Sequence, residues 1–369
     1  MYFIGLMSGT SADAIDAVIL DVSETNADYR LVGSLQEPLQ PELRAAVHQF
    51  SASSGDELER MGTLSVQLGR AFAHAALAVL KQNNIAPREV RAIGSHGQTI
   101  RHRPGGSEPY TVQIGEPAII VEETGITTVA NFRSRDLAAG GEGAPLVPAF
   151  HKAAFQSSTA TRAIVNIGGI ANVTFLPKDP RARVTGFDIG PGNVLLDQWI
   201  NKHLNRSFDR DGAWARSGAA SVDLLKDLLA DPFFSRRPPK STGREYFNLE
   251  WLAAALRGRT SIARENVQAT LVYLTVECIA AALLAHGPRP EEILLCGGGA
   301  SNVFLVETLS TRLSPTPVRT TDSLGFPPQW VEAAAFAWLA QQTLAGRPGN
   351  LPDVTGARHA AILGAIYPA

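Results

Sequence analysis

Twice along this 369-residue chain an apolar strand runs into a turn of small residues and returns at once as a second apolar strand. The first copy is Phe3-Ile4-Gly5-Leu6-Met7, the turn Ser8-Gly9-Thr10-Ser11, and the return Ala14 to Asp21. The second is Ala163 to Ile167, the turn Gly168-Gly169, and the return Ile170 to Phe175. Strand, tight turn and strand make a hairpin. A tip without bulky side chains lets backbone N–H groups approach phosphate oxygens closely. One such turn is a weak signal, since hairpin tips are rich in Ser, Gly and Thr for steric reasons alone. One opening each half is more specific than either alone, and the length suggests about two domains on a prior of roughly 150 residues per domain.

Just after the second hairpin comes Gly186-Phe187-Asp188-Ile189-Gly190-Pro191-Gly192-Asn193. An acid at the mouth of a strand, before a glycine-proline turn and a helix, can point into a crevice beside bound phosphate, a seat for a general base. It can also simply cap the helix. Asp13 and Asp16, past the first turn, are placed to hold a hydrated Mg²⁺. Val90 to Ser95 reads as a strand delivering His96 and Gln98 among loop polars suited to a sugar. Asn131-Phe132-Arg133-Ser134-Arg135-Asp136, at a strand end, is either a carboxylate clamp made by Arg133 and Arg135 or an Arg–Asp lock at a domain junction. Ile293 to Cys296 is a strand whose triple turn Gly297-Gly298-Gly299 can lie against a nucleobase and ribose. Glu332 opens the helix Glu332 to Ala340, where an acid also complements the helix dipole.

The remaining elements are coarser. Apolar spacing predicts long helices over 58–82 and from Val267 to Leu284. Gln113 to Pro117 is expected to open a short helix, and 206–250, dense in proline, glycine and charge, to be a surface excursion or lid. Net charge is −2 with 45 % hydrophobic and 18 % charged residues, so neither nucleic acid nor an anionic membrane is expected as a partner. The two cysteines, Cys278 and Cys296, form no metal-binding spacing and read as buried thiols. No membrane-spanning helix is expected and the cytoplasm is the natural compartment.

Three glycine elements after strands, with an acid in each half, resemble the layout of the actin-like ATPase and sugar-kinase superfamily. The words Gly5-Leu6-Met7-Ser8-Gly9-Thr10-Ser11, Gly94-Ser95-His96-Gly97-Gln98-Thr99, Phe132-Arg133-Ser134-Arg135-Asp136, Asn166-Ile167-Gly168-Gly169-Ile170-Ala171-Asn172 and Phe187-Asp188-Ile189-Gly190-Pro191-Gly192-Asn193 resemble the anhydro-N-acetylmuramic acid kinases. So do Gly143 to Pro148 and Pro239-Lys240-Ser241-Thr242-Gly243-Arg244-Glu245-Tyr246-Phe247. The resemblance implies a two-domain actin-like ATPase (duplicated ribonuclease H-like) fold with ATP in the interdomain cleft, and domains at 1–130 plus 350–369 and at 131–349. It implies an ATP- and Mg²⁺-dependent enzyme of peptidoglycan recycling that opens the 1,6-anhydro ring and phosphorylates O6.

By the same likeness Asp188 matches the base that activates water and Glu332 an acid near the sugar. Gly9, Thr10, Ser11, Asp13 and Asp16 match the ATP-phosphate turn, with Asn166, Gly168, Gly169 and Gly297 to Gly299 on the nucleotide side. His96, Gln98, Gly190 and Asn193 are expected on the sugar; Arg133 and Arg135 suit its lactyl carboxylate by charge. A homodimer is expected. Departures from the usual wording are Ala12, Ala14, Asn131 in place of aspartate and Ile189 in place of threonine. The rivals are a plain sugar kinase that leaves the bridge intact and a nucleotide-dependent scaffold.

Overall fold

Strand β1 (Tyr2–Met7) places Ile4 and Leu6 on one face and Gly5 on the other, because successive strand residues point to opposite sides. That alternation decides what packs where. The structure, a computed structural model, describes residues 1–9, 12–23, 28–50, 57–238, 240–259 and 261–369. Ile4 and Leu6 enter a core with Ile15, Ile19, Leu68, Phe72 and Val79. The last three lie on the helix Glu57–Gln82, the long amphipathic helix expected there. On the opposite face Gly5 meets the helix Val331–Leu344, where an added Cβ would overlap the Ala333 carbonyl oxygen. Gly94 does the same against the Phe336 carbonyl oxygen. The two glycines let the helix lie directly on the sheet.

The chain divides into two units, Met1–Ala154 with Trp330–Ala369, and Phe155–Gln329. Segments 131–154 and 330–349 therefore belong with the first unit, not the second as the expected boundaries had it. For 330–349 the cause is the seat of Val331–Leu344 on Gly5 and Gly94.

The first unit builds on β1, β2 (Ala14–Val22), β3 (Tyr29–Pro38), β4 (Val90–Ser95), β5 (Gln98–Arg103), β6 (Tyr110–Ile114) and β7 (Thr128–Ala130). β3 pairs along the whole of β2 and was not anticipated. Gln113 and Ile114 end β6, and the helix starts only at Pro117 (Pro117–Thr124), because Gln113 pairs with Thr99 across the β5–β6 hairpin. Phe132 to Ala138 is a helix, not a strand end. Its first residue follows Asn131, held left-handed at φ 58°, a conformation asparagine tolerates better than most.

The second unit contains β8 (Arg162–Ile167), β9 (Ile170–Leu176), β10 (Thr185–Pro191), β11 (Glu292–Cys296) and β12 (Val318–Thr320). Their order is β10-β9-β8-β11-β12, with β8 antiparallel to β9, β9 to β10, and β8 parallel to β11. The first sheet, closed by β13 (Ala365–Tyr367), runs β13-β7-β4-β1-β2-β3 with the same directions around β1. A three-strand meander whose first strand is flanked by a parallel pair thus occurs once in each unit. This is the duplicated α/β architecture that the resemblance implies.

Among the described residues two helices, Glu57–Gln82 and Arg264–Ala285, are long and apolar enough to span a membrane by length and composition. In the fold their most apolar stretches are 50 % and 78 % buried. Arg264–Ala285 is apolar nearly all round because it is the central helix of the second core, against Val173, Phe175, Phe187 and Ile189. Both free cysteines, Cys278 and Cys296, are buried.

Candidate active-site clusters

Each unit carries its own cluster of functional side chains. In the first, Asp16 lies at the end of the β1–β2 hairpin, opposite Met7 and paired across to Gln36. Gln36 Nε2 donates to Asp16 Oδ1 at 2.9 Å. Burial raises the Asp16 carboxyl to about 6; the Gln36 bond works against this and the charge of Glu332 adds to it. Glu332 reaches this neighbourhood because Ala333, the next residue, is pinned on Gly5.

Arg133 joins the same group. Its Nε–H donates to His96 Nε2 at 2.9 Å and Nη1 donates to the Gly143 carbonyl at 2.8 Å. His96 must then accept at Nε2, so its proton sits on Nδ1, which donates to the Gly97 carbonyl at 2.8 Å. Burial, with the Arg133 charge second, holds His96 well below its ordinary pKa, so it is neutral. Burial also lowers Arg133 to about 10, opposed by the charges of Glu332 and Asp136. Sequence reasoning missed His102, on β5. Burial and the Arg133 charge lower it to about 4, and Nδ1 lies 3.1 Å from Thr111 Oγ1. The β5–β6 hairpin that brings it here was not expected, and a lone His on a mixed strand gives no signal by itself.

The other first-unit candidates have structural employment. Gln98 braces the first turn, accepting from Ser8 Oγ at 2.7 Å and donating to the Gly9 carbonyl at 3.2 Å. Gly9 leaves space where a side chain would stand, while Thr10 and Ser11 lie outside the described residues. Asp13 is exposed and ion-paired with Arg44. Arg135 is exposed on the helix that carries Arg133. Asp136 is fully buried, and its hydrogen-bond partners are not an arginine across a domain junction but groups of its own unit. It accepts from the Gly143 amide at 2.8 Å, Asn350 Nδ2 at 2.7 Å and Thr355 Oγ1 at 2.8 Å.

Among the described residues no three His, Cys, Asp or Glu side chains converge as a metal cage. Mg²⁺ keeps several waters and takes one or two carboxylates with substrate phosphates. Asp16 fits as one such carboxylate; Asp13 fits only after leaving Arg44.

In the second unit three backbone stretches meet at glycines. A Cβ on Gly192 would overlap the Gly168 carbonyl oxygen, and one on Gly297 the Asn166 side chain. The Asn193 amide donates to the Gly168 carbonyl at 2.8 Å, and its Nδ2 to the Ile167 carbonyl at 3.2 Å. Gly168, Gly169 and Gly298, by contrast, leave open room. The arrangement is a close-packed base under an uncluttered surface of peptide groups, the geometry that suits phosphate and ribose. Asn193 belongs to that base, and a Phe234 ring edge stands where a Gly190 side chain would be.

Asp188 sits on β10 opposite Asn172, where the register shifts before Gly190. Its neighbour Ile189 points the other way, into the core, 2 % exposed. The isoleucine therefore fills a core position and takes no hydrogen bond away from the Asp188 side. The Asp188 amide donates to the Lys240 carbonyl at 3.1 Å, and the Thr242 amide donates to Asp188 Oδ2 at 3.1 Å. The region 206–250 is thus not a loose excursion. It contains the short helices Ala213–Arg216, Val222–Leu229 and Pro232–Ser235, and rings of Phe233, Phe234, Phe247 and Trp251 pack together beside the Asp188 strap. Sequence reasoning gave Lys240 and Thr242 no role; a strap that reaches Asp188 from 54 residues further along the chain leaves no local pattern.

Comparison with known proteins bears on the chemistry. The family model described as "Anhydro-N-acetylmuramic acid kinase" matches residues 1–369. Proteins named anhydro-N-acetylmuramic acid kinase are similar along nearly the whole chain. One from Coxiella burnetii (strain Dugway 5J108-111) is 48 % identical over 365 residues, 99 % of this chain and 97 % of that one. One from Pseudomonas paraeruginosa (strain DSM 24068 / PA7) is 49 % identical over 367 residues, 100 % and 99 % of the two chains. A third, from Xanthomonas campestris pv. campestris (strain 8004), is 48 % identical over 371 residues, 100 % and 97 %.

Proposed function

The chain belongs to the anhydro-N-acetylmuramic acid kinase family, and from that membership we propose how its residues divide the work. The enzyme is an ATP-dependent kinase that opens the 1,6-anhydro ring of 1,6-anhydro-N-acetylmuramic acid and phosphorylates O6. The product is N-acetylmuramic acid 6-phosphate, in peptidoglycan recycling.

Asp188 is the general base. It takes a proton from water as the water oxygen bonds to C1; the C1–O6 bond breaks, and O6 accepts the γ-phosphoryl group of ATP. The observation that carries this assignment is the hold on the carboxylate: Thr242 N–H fixes Oδ2, and Lys240 C=O fixes the backbone of the same residue. A base oriented within hydrogen-bond reach of its water contributes roughly 10²- to 10⁴-fold. The uncluttered peptide groups of Gly168, Gly169 and Gly298 line the nucleotide phosphates and ribose, and Gly9 offers a second phosphate contact. Asp16 would hold a Mg²⁺ carried on ATP, which would supply charge neutralisation at the phosphates. Glu332 accepts a hydrogen bond from the sugar. Arg133, with Nε and Nη1 occupied by His96 and Gly143, serves as the counter-charge of Glu332, and Arg135 keeps the lactyl carboxylate.

Asp188→Asn is expected to lower turnover about 10³-fold while ATP binding, read by calorimetry, survives. Turnover within tenfold of the parent would remove Asp188 as base. A cytoplasmic homodimer completes the proposal on the strength of the family resemblance; sedimentation velocity tests the dimer.

A further inference from the structure

Lys240 is 8 % exposed, rare for a lysine, and its burial is compensated only in part. Nζ donates to the Phe233 carbonyl at 3.3 Å and lies 4.6 Å from the centre of the Phe233 ring. A methionine would fill the same space without the cost of taking an ammonium out of water. Its backbone, meanwhile, accepts the Asp188 amide on the outer edge of β10, two residues before the Thr242 amide that holds Asp188 Oδ2.

We infer that Lys240 is the positioning residue of Asp188: it anchors the strap Lys240–Thr242 on β10 and keeps a positive charge in the neighbourhood of the carboxylate. The inference rests on Asp188 being the base. The charged and titratable groups around the lysine are Arg236, Arg237, Cys278, Glu277, His286 and Asp188. Burial lowers the Lys240 ammonium first, the Arg236 charge lowers it further, and Cys278 and Asp188 are the groups that would support it. Burial pushes the Cys278 thiol far up, so it carries no charge at neutral pH. His286, lowered by burial and by Lys240 and Arg237, is neutral as well. Glu277 is ion-paired with Arg312, which leaves Asp188 as the carboxylate among these groups whose charge supports the ammonium. A cation beside a carboxylate favours its ionised form, which is the form a base must hold before water arrives.

The test compares Lys240→Met, which keeps the buried bulk, with Lys240→Arg, which keeps the charge, by kcat against pH and by KM for ATP. Lys240→Met is expected to lose roughly 10- to 100-fold in kcat and to shift the acid limb of the kcat profile up by about one pH unit. KM for ATP should stay within about twofold, because uniform binding is untouched. Lys240→Arg is expected to restore the limb. If Lys240→Met does not accumulate, Lys240→Gln enters the same comparison. A parental limb in the charge-free variant overturns the inference, as does an equal loss in both variants with no shift, the mark of a mere anchor. Asp188→Asn separates the two readings. Retained turnover there sinks the base assignment and this inference with it, whereas an inactive Asp188→Asn beside a parental Lys240→Met sinks only the inference.

Discussion

Asp16 and Asp188 are both acids on hairpin strands, yet their surroundings ask different things of them. Asp188 is held on its backbone and on Oδ2 by the Lys240–Thr242 strap. Asp16 is half-buried beside Glu332, with its carboxyl raised to about 6 by burial first and by Glu332 as well. Because the folded state holds that proton more tightly than an ordinary aspartate, the fold binds more protons than the unfolded chain from about pH 4 to pH 6. Stability contributed by this group is therefore lost as pH rises through that window, by up to about 3 kcal/mol, less what the residual water contact returns. Asp16→Asn keeps the Gln36 bond and removes the charge. It should unfold at a higher temperature than the parent at pH 7.5 and at nearly the same temperature at pH 4, while losing activity. A lower midpoint at pH 7.5 would contradict the account. Both acids were legible in the sequence because each adjoins a turn signal, Asp16 after one and Asp188 before one. His102 and Lys240 were not, because nothing local distinguishes a histidine or lysine that a distant segment buries.

The helix Val331–Leu344 shows how an element places a residue. Its backbone rests on Gly5 and Gly94, and Glu332 is carried to Asp16 and Arg133 by that contact. Gly94→Ala would push a methyl group into the Phe336 carbonyl, an overpacking that costs about 1–3 kcal/mol, and should lower activity by displacing Glu332. Gly62→Ala, in the helix Glu57–Gln82, meets no atom within 4 Å and should stabilise by about 0.5–1 kcal/mol through helix propensity. Denaturant unfolding of the two variants checks the pair; equal effects of the same sign would contradict the packing argument. Long helices and both glycine-tipped hairpins could be read from spacing. β3 and the β5–β6 hairpin could not, because their half-exposed, mixed residues lack a clean period of two. The short helices of 206–250 were hidden by the prolines and charges that read as loop.

At the scale of the whole molecule the duplication was visible in the sequence as two hairpins, and the structure repeats not only the hairpins but the strand order around them. The unit boundary was misread by about twenty residues at each crossing, because the glycine contacts that draw Val331–Leu344 onto the first sheet are long-range. Family membership over residues 1–369 fixes the reaction class, while the roles of Asp188, Glu332 and Asp16 rest on their surroundings. What sets this reaction apart from ordinary sugar phosphorylation is that water and phosphate reach the same sugar in one turnover. The most direct measurement is mass spectrometry of the products formed from 1,6-anhydro-N-acetylmuramic acid, ATP and Mg²⁺ in oxygen-18 water. The account predicts one heavy oxygen at C1 together with a phosphate on O6. A phosphorylated sugar with its anhydro bridge intact, or an opened sugar without the label, would contradict it.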